Sequence, residues 1–306
     1  MKTSNHLLRR LTAALLAAVL ALSIALPVFA SDDGDTIYIN SVSDLLSLAR
    51  SCAYDQWSVG KTVILQKDLS LEGMLWEPIP SFSGQFKGNG HTISDLTITG
   101  QYSPAGLFGI VEEQGSIESL SVRGVVSVSD SADTTTGGIA GINHGTLISC
   151  QFTGVVTGDS EVGGIVGRNE SEGTIDHSTA RAIVTGKSST GGIAGYNLGA
   201  ITGCTNVGSI NTEYPEASLD TDGFTAKMVD YINNKMAAAD DDATNSVTNV
   251  ATDTGGIAGR SSGMILTSVN TGTIGYEHVG YNVGGIVGRT DGLVSGCVNQ
   301  GRVLGR

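Results

Sequence analysis

The sequence predicts an all-β protein, a right-handed parallel β-helix (solenoid) with an N-terminal α/β cap and a small helical insertion. Three observations carry this expectation. Glycine is abundant, 43 of 306 residues, while proline occurs only five times, so the glycines punctuate tight turns between short strands and do not form a flexible linker. A Gly-Gly-Ile-Ala/Val-Gly block recurs at Gly137, Gly163, Gly191, Gly255 and Gly284, with a degenerate copy at Gly106. Uninterrupted units are 26 to 29 residues long from block to block and leave no room for a helix. Each holds three short β-prone runs, such as "GGIAG", "GTLISC" and "GVVTG". Units of that size stack as rungs, about 4.8 Å apart, and parallel crossovers are right-handed by strong preference.

Residues 1–30 read as a secretory signal peptide. Lys2, Arg9 and Arg10 precede an uncharged apolar run, Leu11 to Leu26, and Val28 and Ala30 supply small residues before Ser31. The run is shorter than the roughly 20 residues a spanning helix needs. No second apolar stretch of that kind follows, so no membrane span is expected after signal cleavage. The protein carries a net charge of −13, and −16 once residues 1–30 are removed. Such a surface repels nucleic-acid phosphates, and no nucleic acid is expected as partner.

Residues 31–100 should form the N-terminal cap and first rungs. "TIYI" reads as a strand. Ser41-x-x-Asp44 reads as a capping box that opens a helix. Its apolar stripe is Val42, Leu45, Leu46, Ala49, Cys52 and Ala53, placed as a lid over the first rung. "KTVILQKDLSL" and "FSGQFKGNGHTISDLTITG" then start the stack.

Residues 101–306 hold the repeats. Columns beyond the glycine block agree from copy to copy. Leu120, Cys150, Ser178, Cys204, Ser268 and Cys297 share one, and Val126, Val156, Val184, Ile210, Ile274 and Val303 share another. An insertion at about 211–253 interrupts them. Phe224, Met228, Ile232 and Met236 at four-residue spacing predict a helix over 224–239. The last rung reaches Val303 with no capping unit after it. The expectation is a longer protein or an end covered by another chain, with self-association through that open rung as one form of it.

The segments "GGIAGINHGTLISCQFTGVVTG" and "GGIAGYNLGAITGCTNVGSI", with "GLFG" at Gly106 to Gly109, resemble the GLUG repeat of bacterial surface proteins. Such repeats occur in varied exported proteins, among them IgA-specific metalloproteases and adhesins. The resemblance implies a secreted, extracellular or cell-surface solenoid and names no ligand.

Cys150, Cys204 and Cys297 alternate with serines, so same-column cysteines stand two rungs apart, roughly 9.6 Å. That exceeds the about 7 Å reach of a disulfide, and reduced interior thiols are expected. Cys52 has no evident partner. The histidines fall in different columns without metal-ligand spacing, and no metal or cofactor is expected. Asn143, Asn169 and Asn197 share a column, as do Asn206, Asn270 and Asn299; stacked amides fit them. Asp220-Thr221-Asp222-Gly223 opens like a calcium loop but lacks the downstream Glu. No paired carboxylates recur in adjacent rungs and no H-E-x-x-H occurs.

The expected function is therefore a scaffold or adhesin-like binding module, not an enzyme. Its partner would be a host or matrix glycan or protein, or a cell-envelope component. The alternatives are a carbohydrate-active β-helix enzyme and a non-catalytic segment of a larger exported protease. One surface column, Arg168, Tyr196, Arg260 and Arg289, is the candidate ligand-contact edge, because Arg and Tyr together can meet carboxylates.

Overall fold

A computed structural model describes residues 35–54, 56–128, 134–212, 253–275 and 282–304. The expected signal peptide at 1–30 and the helix at 224–239 lie outside the described residues. The fold is a parallel β-solenoid of about eight turns, built from four sheets, of which the five-stranded one begins only at Thr135.

One full rung shows the construction. Thr135–Gly137 lies in sheet I, Ala140–Asn143 in sheet II, Thr146–Ile148 in sheet III and Gln151–Thr157 in sheet IV. The next rung repeats this with Glu161–Gly163, Val166–Asn169, Thr174–Asp176 and Thr179–Thr185. All pairings along the stack are parallel, and Gly137, Gly163, Gly191, Gly255 and Gly284 stand one over another. The sequence columns are therefore real vertical columns.

The glycine block differs from the expected single strand. Its first glycine ends the sheet I strand, the next two residues turn a corner, and the fourth opens the sheet II strand. A full rung thus has four strands, not three. Sterics explain both glycines at Gly191-Gly192. A Cβ on Gly191 would sit 2.1 Å from the Ala194 carbonyl oxygen, which the tight corner folds back onto it. A Cβ on Gly192 would sit 2.3 Å from the Gly256 carbonyl oxygen and 2.4 Å from Cγ of Asn206, which reaches across from sheet IV. The isoleucine of the block points inward. Ile139, Ile165, Ile193 and Ile257 are fully buried, each such burial stabilising by about 1.5–3 kcal/mol.

At the N-terminal end the filling is larger. Phe82, Phe86 and Phe108 pack with ring centroids 5.4–6.2 Å apart. Trp76 is buried as well, its Nε1 donating to the Leu107 carbonyl at 3.2 Å. Helix α1, Val42–Ser51, packs against the Thr36–Ile39 and Ile79–Phe82 strands. Ser41 caps it as expected, with Oγ accepting from the Asp44 N–H at 3.2 Å, and the Asp44 carboxylate accepts from the Asn40 N–H at 2.9 Å. The buried stripe is Leu45, Leu48 and Cys52. Leu48 was not in the expected stripe and Ala53 is exposed, so the helix face is rotated from the one read in sequence.

The Asn columns form ladders, buried except at Asn299. Asn143 Nδ2 donates to Asn169 Oδ1 at 2.8 Å, Asn169 Nδ2 to Asn197 Oδ1 at 2.8 Å, and Asn197 Nδ2 to Ser261 Oγ at 3.0 Å. Asn206, Asn270 and Asn299 repeat the pattern at 2.8 and 2.7 Å. The four cysteines are free thiols. Cys150 and Cys204 lie in the interior column, and burial pushes both thiols up to about 12. Cys297 is only half-buried, because no described rung covers it on one side.

Candidate functional site

Five sheet II strands share one burial pattern, with the third residue partly exposed and the other three buried. In Val166–Asn169 the valine and the asparagine point to the core, and Arg168 points outward between them. The same outward position in successive rungs is Ser81, Ile110, Ile142, Arg168, Tyr196, Arg260 and Arg289, each in register with the next. The four residues singled out in sequence therefore occupy adjacent rungs of one column, at about 4.8 Å per step.

The four side chains have different surroundings. Arg168 is held by Glu161, seven residues earlier on the sheet I strand of the same rung. Its Nε donates to Glu161 Oε2 at 2.6 Å and its Nη2 donates to the other carboxylate oxygen. Glu170 lies 3.6 Å away on the other side. The hydrogen bond it donates to Glu161 raises the guanidinium pKa above its usual value. Tyr196 is sandwiched, with the Arg168 guanidinium 5.6 Å and the Arg260 guanidinium 5.1 Å from its ring centroid. Its hydroxyl lies 3.2 Å from Ser262 Oγ. Asp291 stands beside the far end of the column. The Ser262 side-chain hydrogen bond holds its carboxyl below the usual range, and the charges of Arg260 and Arg289 add to this.

The sequence reading missed Glu161, Glu170 and Ser262. Glu161 and Arg168 sit on different sheets and meet only because the glycine corner turns between them, a contact that spacing alone does not disclose. Column arithmetic could have found Ser262 and Asp291, which follow the Arg/Tyr column by two residues in their own rungs.

The other side chains considered do not join this column. His91 pairs with Asp68 at 3.1 Å and His177 with Asp176 at 2.9 Å. Among the described residues no group of three His, Cys, Asp or Glu side chains is placed to hold a metal ion. The Asp220–Gly223 segment lies outside the described residues.

Fold and column together define a parallel β-solenoid that displays registered side-chain stripes. Three known proteins are similar to it. Halomucin of Haloquadratum walsbyi is 32% identical over 155 residues, which is 46% of this chain and 2% of halomucin. A protein of Evansella cellulosilytica, provisionally named a Gly-rich membrane protein, is 29% identical over 137 residues, 32% of this chain and 16% of that one. The chain thus spans a small part of the curated relatives it matches. A crystal structure from Bacteroides ovatus, provisionally described as an immunoglobulin A1 protease, superposes with a TM-score of 0.56 at 17% identity, covering 87% of this chain and 75% of that one. That likeness concerns the fold alone. No protein-family profile matches the chain, and the GLUG resemblance rests on the repeat residues themselves. No helix among the described residues is long and apolar enough to cross a membrane.

Proposed function

We propose that this chain is an exported, surface-associated β-solenoid of the GLUG-repeat kind, acting as a scaffold and adhesin-like binding module without catalysis of its own. The observation that carries the reading is the vertical registry. It turns a repeat into a rigid rod whose outward columns are continuous across rungs, and one column concentrates arginine and tyrosine on an acidic protein. The partial similarity to halomucin and to a Gly-rich membrane protein supports a place at the cell exterior. The partner on this reading is a host or matrix glycan or protein, or a component of the cell envelope.

The likeness to the Bacteroides ovatus structure favours one second reading, a non-catalytic segment of a larger exported protease. The test sets binding beside turnover. The purified protein is passed over immobilised glycans and matrix proteins, and incubated in parallel with polysaccharides and with immunoglobulin A1. Retention without product supports the module. Release of reducing ends, unsaturated sugars or antibody fragments by the chain alone removes it.

A further inference from the structure

We infer that the Arg260–Arg289 end of the sheet II column is a docking site for a polysaccharide bearing sulfate or carboxylate groups, laid along the solenoid axis. The inference rests on the binding-module reading and names the ligand class for it.

The column divides by charge compensation. Arg168 faces two carboxylates, Glu161 and Glu170, and is a strut. Arg260 and Arg289 make no ion pair with a carboxylate among the described residues. Among the described residues Asp291 shares their field, and Asp253, which stands in the Arg260 rung where Glu161 stands in the Arg168 rung, accepts from Asn282 Nδ2; two guanidiniums thus stand without an ion pair on a protein whose net charge is −13. Leaving two guanidiniums on adjacent rungs without their own carboxylates gives up pairing that Arg168, one rung beyond Tyr196, does make.

Tyr196 is not a sugar-stacking platform. Both ring faces are covered by guanidiniums, and its hydroxyl contacts Ser262. Its role is to hold Arg260 in a fixed plane, which lowers the ordering cost when the fork meets an anionic group. The contact atoms offered are guanidinium N–H groups, which match the paired oxygens of carboxylate or sulfate.

The backbone argues against an extended acidic peptide. The Ala194–Asn197 and Ala258–Ser261 strands are paired on both sides, and Val287–Thr290 pairs on one side only among the described residues, so an added strand could sit only beyond Arg289 and would not run across the Arg260–Arg289 step. An extended peptide also spaces same-side carboxylates about 6.7 Å apart, whereas rungs repeat at about 4.8 Å. A polymer recognised by side chains alone suits the column.

The test measures binding of the full-length protein to dextran sulfate and to alginate, with neutral dextran and duplex DNA as controls, by biolayer interferometry at low and physiological salt. The expected result is binding to one or both anionic polysaccharides, weakened by salt, and little to dextran or DNA. Arg260→Gln/Arg289→Gln should weaken it about tenfold or more, and the exposed single variant Arg289→Gln by a smaller factor without altering the circular dichroism spectrum. Unchanged affinity in Arg289→Gln and in the folded double variant overturns the site. So does equal binding to dextran or to DNA. If the protein instead holds matrix proteins and neither variant matters, the module reading survives and this site falls. If it depolymerises the polysaccharide, the module reading falls.

Discussion

Each amide in the Asn143–Asn169–Asn197 ladder donates one Nδ2 hydrogen to the next rung and the other to its own corner, the Gly145, Gly173 and Gly199 carbonyls at 3.2, 3.1 and 3.3 Å. The chain of donors has a direction, so its first member has no donor behind it. Asn143 Oδ1 is buried without a partner, and the residue registered beneath it is Val111. Two outcomes follow from this polarity. Asn169→Ala strands the Nδ2 of Asn143 and the Oδ1 of Asn197, and should cost about 2–5 kcal/mol. Val111→Thr places a hydroxyl under the orphaned oxygen and should be close to neutral. The same change at Val126, equally buried, should cost about 1–3 kcal/mol. Urea unfolding of the three variants checks the order, and equal losses for the two threonines would remove the ladder's polarity from the account.

The cysteine column makes a second residue-scale prediction. The Cys150 and Cys204 thiols rise from 9.0 to about 12 because burial disfavours the thiolate. The folded form therefore keeps protons that the unfolded form releases. Stability is whole below pH 9 and is lost as pH rises from 9 towards 12, by at most about 1.4 kcal/mol per unit per thiol. Serine already alternates with cysteine in this column, and Ser178 Oγ accepts the Cys150 N–H at 3.1 Å. Cys150→Ser/Cys204→Ser should therefore fold and lose less stability between pH 8 and pH 10.5 than the parent, as read from denaturant midpoints at both pH values.

At the scale of the element, the corner between sheets I and II governs the rung. Gly192→Ala sets a methyl against the Gly256 carbonyl and the Asn206 amide at once. Neither can withdraw, since the amide is tied to Asn270 and the carbonyl belongs to the next rung. A loss of about 1–3 kcal/mol is expected, measurable as a fall in Tm, whereas Ala at the exposed turn Gly60, whose added Cβ meets nothing within 4 Å, should cost only its left-handed strain. The corner also marks the limit of what the sequence disclosed. Column identities such as Gly137 over Gly163, and the Ser41 cap, were legible because each depends on a single residue type at fixed spacing. The split of the glycine block between two sheets was not, since glycine suits both a strand and a bend. Leu48 was missed because two helical faces of α1 carry leucine, and only packing on the Ile79–Phe82 strand chooses between them. At the candidate site the column was legible and its charge compensation was not, because Glu161 reaches Arg168 through that same corner.

For the whole molecule, stacking makes stability a sum over neighbouring rungs and leaves it uneven along the axis. The strands Val166–Asn169 and Val287–Thr290 have nearly the same sequence, VGRN and VGRT, so their intrinsic exchange chemistry is close. Their environments differ. Val166 is fully buried between rungs, while Val287 is only half-buried and Arg289 and Thr290 are exposed. Among the described residues, opening the outer rung breaks one rung interface, and opening the inner one breaks two. Hydrogen exchange followed by mass spectrometry should therefore show amides of 287–290 exchanging at least about tenfold faster than those of 166–169. The Thr36–Ile39 strand, covered by α1, should stay protected despite lying at the other extreme of sheet III. Equal protection of the two VGR segments would mean that the solenoid opens as one cooperative body. Rapid exchange at Thr36–Ile39 would mean that α1 does not close its end. Either result bears on binding, because Arg289 lies in the outer rung and Arg260 in the one beneath it, and a ligand that bridges them should slow exchange at 287–290 selectively.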